Sequence, residues 1–90
     1  MEYPRDVVIV GGVRTAHGKF KGALFNTPAV ELGAMAISAT LEQTRIDAGM
    51  IDEVIMGNVL SAGIGHHPAR QSALKSGIPA AIPALTINKM

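Results

Sequence analysis

The 90-residue chain contains no cysteine and no tryptophan. Without cysteine, its own residues cannot supply a disulfide, a thiolate zinc site or a cysteine nucleophile. Aromatic residues make up only 3% of the chain, whereas glycine occurs ten times. Because the side chains are small and a domain this short buries only about 60% of its unfolded surface, we expect a thin hydrophobic core. The composition therefore indicates a part of a larger folded unit.

The sequence also lacks a long hydrophobic run and an excess of charge of either sign. Its longest apolar stretch, residues 7–13, is far short of the roughly 20 residues that a membrane-spanning helix needs. Arg14 follows where a secretory cleavage site has small residues, so no export signal is visible and we expect a cytoplasmic protein. Eight Lys and Arg residues against seven Asp and Glu residues give a net charge of +1. Charge therefore indicates neither a nucleic acid nor a membrane as the partner.

Three short segments are typical of β-strands. Residues 6–10 (DVVIV) include four consecutive β-branched residues, which favours a strand buried on both faces of a parallel sheet. Residues 53–59 and residues 84–88 are predicted to form the second and third strands. In the third strand, Leu85 and Ile87 share one face, and we expect Ile87 to lie in a buried segment.

Two helices are predicted between these strands, and a proline marks the start of each. Thr27 and Pro28 fit an N-cap and the first residue of a helix that runs to about Thr44. Pro68 predicts a second, short and alanine-rich helix, with Gly77 as its natural stop. The first helix carries one apolar stripe, formed by Val30, Ala34, Ile37 and Leu41.

The predicted order β-α-β-α-β indicates the α/β class and a parallel sheet with right-handed crossovers. If the strands lie in sequence order, the handedness rule places both helices on the same face of the sheet. The other face is then bare. Because the first predicted strand is apolar on both faces, we expect that bare face to be covered by protein outside these residues.

Ligands of parallel sheets bind beyond the carboxyl ends of the strands, and three loops qualify. The first, after residue 13, carries four basic side chains and no acid. It is either an anion site or a solvated or subunit-contacting loop. Its basic residues are Arg14, His17, Lys19 and Lys21.

The second candidate is the glycine-rich loop that precedes Pro68. Gly63 and Gly65 suggest a phosphate-binding turn, but proline replaces the third glycine, and no acidic residue follows at the distance that a ribose requires. His66 and His67 suggest a metal site, yet no third ligand has a suitable spacing. We therefore predict no cofactor-binding residue and no metal ligand, and interpret the histidines as loop side chains.

The third candidate is the carboxyl end of the third predicted strand, where a strand-to-helix turn commonly displays a nucleophile. The chain offers no such group within its own residues. Three serines, Ser61, Ser72 and Ser76, have no acid and histidine partners that the sequence can identify. Three methionines, Met35, Met50 and Met56, are most simply core residues.

Several blocks of the sequence, in this order and spacing, resemble the amino-terminal segment of thiolases. The resemblance runs from about Asp6 to Met90 and is specific in combination, although no single block is. The blocks are VVIV at 7–10, RTAxGxFxG at 14–22, PAVELGA at 28–34, DEVIMGNVL at 52–60, PARQ at 68–71 and PALTINKM at 83–90.

The resemblance implies a layered αβαβα fold of two similar halves, in which residues 1–90 form an incomplete part of the amino-terminal domain. It implies acyl transfer between coenzyme A thioesters through an acyl-cysteine, with no permanently bound cofactor. The family's nucleophilic cysteine directly follows the block that ends here at Met90, so no catalytic residue can be assigned within this sequence. A homodimer or homotetramer is implied, in which the strand before the nucleophile pairs across the dimer axis.

The chain departs from the thiolase pattern at two places. Thr44 and Arg45 stand where the family usually ends its first helix with Ala-Gly, which puts our helix boundary in doubt. His66 and His67 stand where Gln-Asn is common, in a loop that approaches the neighbouring subunit in thiolases. The alternative hypothesis is a non-catalytic binding or scaffold module that retains a thiolase-like sheet.

Overall fold

The computed structural model describes residues 6–88 and contains two helices on one face of a small parallel sheet. The elements are α1 (Ala29–Thr44), a 3-10 turn (Ala48–Met50), β1 (Val54–Gly57), α2 (Pro68–Lys75) and β2 (Ala84–Ile87). The two strands are parallel, with Val54 opposite Ala84 and Gly57 opposite Ile87. The α/β class and the parallel sheet predicted from the sequence are confirmed.

Helix α1 begins one residue later than predicted. Pro28 has an extended backbone (φ −61°, ψ 148°), so it occupies the N-cap position, and the first helical residue is Ala29. Thr27 therefore lies outside the helix. The carbonyl of Pro28 accepts the first turn's hydrogen bonds from the N–H groups of Glu31 and Leu32. The predicted end at Thr44 is confirmed.

The core lies between the two helices and the inner face of the sheet. Ala69 and Ala73 of α2 are buried, and their small side chains let this helix pack closely against the sheet. The central cluster consists of Val54, Ala73 and Ile78. Packed around this cluster are the half-buried apolar residues Ile37, Leu41, Ala48, Ile51, Met56, Ile82 and Ala84.

Helices α1 and α2 approach each other closely at a glycine. Ser72 of α2 is buried, and its hydroxyl donates to the carbonyl of Val30 at 2.9 Å. A Cβ atom on Gly33 would lie 2.6 Å from Ser72 Oγ and 2.9 Å from Met56 Cε. Both distances are shorter than van der Waals contact, so this helix pair requires glycine at position 33.

The outer face of the sheet is bare among the described residues, as the sequence predicted. Ile55 is 56% exposed, and its register partner Leu85 is 47% exposed. Ile87, which was predicted to be buried, is instead 43% exposed. The reason is strand alternation: Ala84 and Thr86 point towards the helices, so Ile87 points the other way.

The structure does not contain the predicted first strand. Residues 6–10 form no β-bridge and are exposed, with Val7 and Ile9 more than nine-tenths accessible. A strand is held by hydrogen bonds to a neighbouring strand, and the sheet of the described residues consists of β1 and β2 only. This segment is tied to α1 nearby, where the N–H of Gly12 donates to Gln43 Oε1 at 3.0 Å.

Candidate functional site

The carboxyl ends of β1 and β2 form one edge, and an asparagine follows each strand. The N–H of Asn58 donates to the carbonyl of Ile87 at 2.9 Å, which extends the ladder beyond β1. The side-chain amide of Asn88 donates to the carbonyl of Val59 at 2.7 Å. These two bonds hold the chain segments that leave the sheet at a fixed separation.

The glycine-rich loop, residues 60–67, lies beside this edge and is held by α2. Gln71 Nε2 donates to the carbonyl of Ile64 at 3.0 Å and to that of His66 at 2.7 Å. Gly65 has φ +93°, a conformation that side chains rarely adopt, and a Cβ there would lie 3.1 Å from Gln71 Nε2. The loop carbonyls are thus occupied by a protein donor, which differs from a loop whose N–H groups surround a phosphate.

His67 is the residue whose structural role the sequence interpretation missed. It is the N-cap of α2, and its Nδ1 accepts the N–H of Arg70 at 3.2 Å. The same Nδ1 lies 3.0 Å from the hydroxyl of Thr86 in β2. The hydroxyl in turn accepts the N–H of Ala69 at 3.0 Å. The available signal was a polar residue directly before a helix-starting proline, which is an N-cap position.

Arg70 fixes the connection that leads into β2. Its Nη1 donates to the carbonyl of Ile82 at 2.7 Å, and its Nη2 donates to the carbonyl of Ala80. The connection contains Pro79 and Pro83, which have no N–H groups of their own. The guanidinium therefore supplies donors that this irregular segment lacks.

The basic loop after residue 13 does not converge on a site in the structure. All four of its basic side chains are exposed. Lys21 Nζ lies 5.6 Å from the ring centre of Phe20, and the loop turns through hydrogen bonds such as that from Gly22 N to Lys19 O. These observations favour the solvated or contacting loop over an anion site.

The serines are engaged in structural hydrogen bonds. Ser72 donates to α1 as described above, Ser76 Oγ donates to the carbonyl of Ala73 at 2.9 Å, and Ser61 Oγ accepts from Asn58 Nδ2 at 3.4 Å. Of the three methionines, Met56 packs against the core, whereas Met35 and Met50 are exposed, so their prediction as core residues is wrong. They lie on α1 and the 3-10 turn, on surfaces that no described element covers.

Metal binding and membrane spanning each require a recognisable arrangement of residues. No group of three or more His, Asp or Glu residues within residues 6–88 is arranged to hold a metal ion. No helix in the same range has the length and apolarity that crossing a bilayer requires.

A groove of about 310 Å³ between α1 and β1 is lined almost entirely by apolar side chains, with Thr40 and Glu53 as the polar exceptions. It therefore has the character of a packing surface.

Comparisons with known proteins agree with this fold. Residues 7–90 match the sequence model of the family described as "Thiolase, N-terminal domain". The acetyl-CoA acetyltransferase of Pseudomonas aeruginosa is 57% identical over 86 residues, covering 96% of this chain and 22% of that protein. The acetyl-CoA acetyltransferase of Cupriavidus necator is 56% identical over 85 residues, covering 94% of this chain and 22% of that protein.

A solved structure is also similar. The crystal structure of Acat5 thiolase from Ascaris suum in complex with coenzyme A superposes with a TM-score of 0.92 at 39% identity, covering 94% of this chain and 22% of that chain. The present chain thus spans about a fifth of the length of the relatives that it matches. With the match to the family extending over almost every residue, the chain belongs to the thiolase family and aligns with its N-terminal domain.

Proposed function

We propose that this chain is part of an acetyl-CoA acetyltransferase, which condenses two acetyl-CoA molecules to acetoacetyl-CoA or catalyses the reverse thiolysis. The observation that carries the proposal is the similarity to acetyl-CoA acetyltransferases over nearly the whole chain, at 57% identity to the Pseudomonas aeruginosa protein. The parallel strand pair also supports the proposal. Hydrogen bonds fix the carboxyl ends of its strands, and α/β enzymes place reacting groups at the carboxyl ends of parallel strands.

The proposed chemistry is acyl transfer through a cysteine outside these residues. Its thiolate attacks the thioester carbonyl of the first acyl-CoA, the acyl group moves to the cysteine sulfur, and CoA leaves as its thiolate, which takes up a proton from the base that deprotonated the cysteine. The α-carbon of a second acetyl-CoA loses a proton to a base, forms a bond to the acyl carbon and releases the cysteine. The contribution of the present residues is to hold β2, and hence the turn beyond it, in one position.

Coenzyme A thioesters are the proposed substrates, and a second copy of the protein is the proposed partner. The printed description of the Ascaris suum thiolase names bound coenzyme A, which supports this class of ligand. The exposed apolar face of β1 and β2 supports assembly, because exposed apolar sheet faces mark interaction surfaces. We propose a homodimer or homotetramer, located in the cytoplasm.

The test uses the full-length polypeptide that contains this segment. It is incubated with acetoacetyl-CoA and CoA, and the formation of acetyl-CoA is measured. We expect turnover, and after exposure to acetyl-CoA alone we expect the intact mass to increase by one acetyl group on a cysteine. Binding of CoA without turnover and without the added acetyl group would contradict the proposal and favour a binding or scaffold module.

A further inference from the structure

The start of α2 and the middle of β2 meet where His67 contacts Thr86. His67 has a left-handed backbone (φ 50°), a conformation in which histidine is found more often than most residues. This conformation turns its imidazole back over the helix start, where Nδ1 accepts the N–H of Arg70. The side chain thereby satisfies one of the N–H groups that the first helical turn leaves without a partner.

The N–H of Arg70 and the hydroxyl of Thr86 together indicate where the imidazole proton resides. His67 Nδ1 accepts the N–H of Arg70 and lies 3.0 Å from Thr86 Oγ1, so the hydroxyl, which accepts the N–H of Ala69, donates its own proton to that nitrogen. Nδ1 therefore faces two donors, the hydroxyl of Thr86 and the N–H of Arg70. A proton on Nδ1 would oppose the backbone N–H of Arg70, which can only donate, so the compatible tautomer of the ring carries its proton on Nε2.

We propose that His67, as the Nε2-protonated neutral tautomer, is a positioning residue that fixes β2 to the start of α2. Through β2 it fixes the turn that leads to the nucleophile, and this last clause rests on the proposed acyl transfer. The link is short: Thr86 lies two residues before Asn88, whose side chain holds the carboxyl edge. Loss of the His67 contact leaves the hydroxyl of Thr86 held only by the N–H of Ala69, and β2 is then fixed less firmly to α2.

The geometry separates this role from two others that histidine commonly has. As a general base, the ring would need a free lone pair facing the reacting group, but in the proposed tautomer the lone pair is on Nδ1 and is occupied by two donors. As a metal ligand, it would need further ligands, and none are grouped with it among residues 6–88.

The first experiment measures the tautomer directly in the full-length protein. Nitrogen-15 NMR of histidine-labelled protein is recorded, and the signals of His67 are assigned by their loss in His67→Asn. We expect one imidazole with a protonated Nε2 and an unprotonated, hydrogen-bonded Nδ1. Signals averaged between the two tautomers, as in a freely solvated ring, would overturn the proposal. This readout needs no catalytic activity, so it stands or falls separately from the proposed function.

The second experiment compares two substitutions at His67. His67→Asn keeps a side-chain acceptor at the N-cap and tolerates the left-handed backbone, whereas His67→Ala removes the acceptor. We expect His67→Ala to lower kcat by about tenfold to a hundredfold, with KM within about twofold, because the reacting group is displaced while substrate binding remains. We expect His67→Asn to recover most of the loss. Equal kcat for the two variants, whether both retain or both lose activity, would overturn the proposal.

The partner side of the contact supplies a second, matched pair of variants. Thr86→Ser keeps the hydroxyl that links Ala69 to His67, whereas Thr86→Val has the same shape without it. We expect Thr86→Val to reproduce the kcat loss and to weaken the tautomer preference in the NMR spectrum, because one of the two donors to Nδ1 is removed, and Thr86→Ser to do neither. His66→Asn, at the neighbouring exposed histidine, is the control and should leave kcat within about twofold. A kcat loss in Thr86→Val with an unchanged tautomer would contradict the link.

Discussion

At the scale of single residues, the chain has residues other than glycine at positions with the left-handed backbone that favours glycine. Arg45 ends α1 with φ 58°, in the place where helices commonly have glycine. Its side chain is exposed, so it has little packing to offset the unfavourable backbone. The departure from the thiolase pattern at Thr44 and Arg45 thus leaves the helix boundary unchanged and places a strained residue after it.

We expect Arg45→Gly to stabilise the protein by about 0.5 to 1 kcal/mol. Relief of the left-handed backbone contributes about 1 to 2 kcal/mol, and the greater freedom of glycine in the unfolded chain offsets part of it. Urea unfolding of the full-length variants measures the change. Arg45→Ala is the control, because it removes the same side chain but keeps the strain. An equal gain in both variants would show that the side chain, and not the backbone, is unfavourable.

At Gly33, where the two helices meet, we expect the loss of a glycine to destabilise the protein. Alanine is the better helix former by about 1 kcal/mol, but its Cβ at this position would lie 2.6 Å from Ser72 Oγ. We expect Gly33→Ala to destabilise the protein by about 1 to 3 kcal/mol. The loss should shrink when Ser72→Ala is combined with it, since the nearest clashing atom is then absent.

The control for Gly33 is Gly12→Ala, because a Cβ on Gly12 meets nothing within 4 Å. Thermal unfolding of the three variants and the parent gives the comparison. If Gly33→Ala were as stable as the parent, that result would contradict the conclusion that the close packing of α1 and α2 requires glycine at position 33.

At the scale of elements, the sheet separates the residues that the helices cover from those that remain open. Val54 and Thr86 face the helices, whereas Ile55, Leu85 and Ile87 share the outer face. We infer that this outer face is where the rest of the assembled protein packs.

Ile87→Asp tests whether the outer face belongs to a subunit interface. Within the described chain Ile87 is half-exposed, so the substitution alone costs little folding free energy. In an assembled protein that covers this face, the same charge is buried without a partner, at a cost of several kcal/mol. We therefore expect loss of the dimer together with loss of activity, measured by light scattering of the folded fraction.

Met50→Asp is the control for Ile87→Asp, because Met50 is an apolar residue, 72% exposed, outside the sheet. It should leave the subunit count unchanged. A full-length Ile87→Asp protein with the parent's subunit count would refute the interface and leave the family assignment intact.

The sequence predicted both helices, two of the three proposed strands and the bare outer face, because apolar spacing and prolines act locally. It missed the contact of His67 with Thr86, since these residues are 19 positions apart and meet only when β2 lies beside α2. It also placed a strand at residues 6–10. Apolar β-branched residues favour a strand there, but pairing depends on a neighbour that spacing along the chain does not reveal.

At the scale of the whole molecule, the described residues place a small core beneath two helices and leave apolar surface exposed elsewhere. Val7 and Ile9 are almost fully exposed, and the outer sheet face adds Ile55 and Leu85. A two-stranded sheet also has two open edges, which are templates for pairing with another chain.

We expect the 90-residue chain on its own to self-associate or to fold poorly. Exposed apolar surface and unpaired strand edges both favour association. Sedimentation velocity and far-UV circular dichroism of the isolated chain provide the measurements. A monodisperse monomer with a sharp cooperative melt would identify these residues as a complete domain.

We also expect the isolated chain to have no thiolysis activity, because acyl transfer needs a nucleophile and a base, and neither is identifiable in it. Acetoacetyl-CoA and CoA are incubated with the chain, with the full-length protein as the positive control. Acetyl-CoA formation above the uncatalysed rate would show that these residues contain a catalytic group that the structure did not reveal.

Two side chains of the α2 region, the guanidinium of Arg70 and the imidazole of His67, contact β2 and the connection before it at two separate points. Arg70 holds the proline-containing connection through the carbonyls of Ala80 and Ile82, and His67 holds the strand through Thr86. We therefore expect helix α2, the connection and β2 to open as one cooperative unit. Amide hydrogens of α2 and β2 that exchange through this opening would then share one opening free energy. A substitution at Arg70 or at His67 would therefore speed hydrogen exchange in both elements.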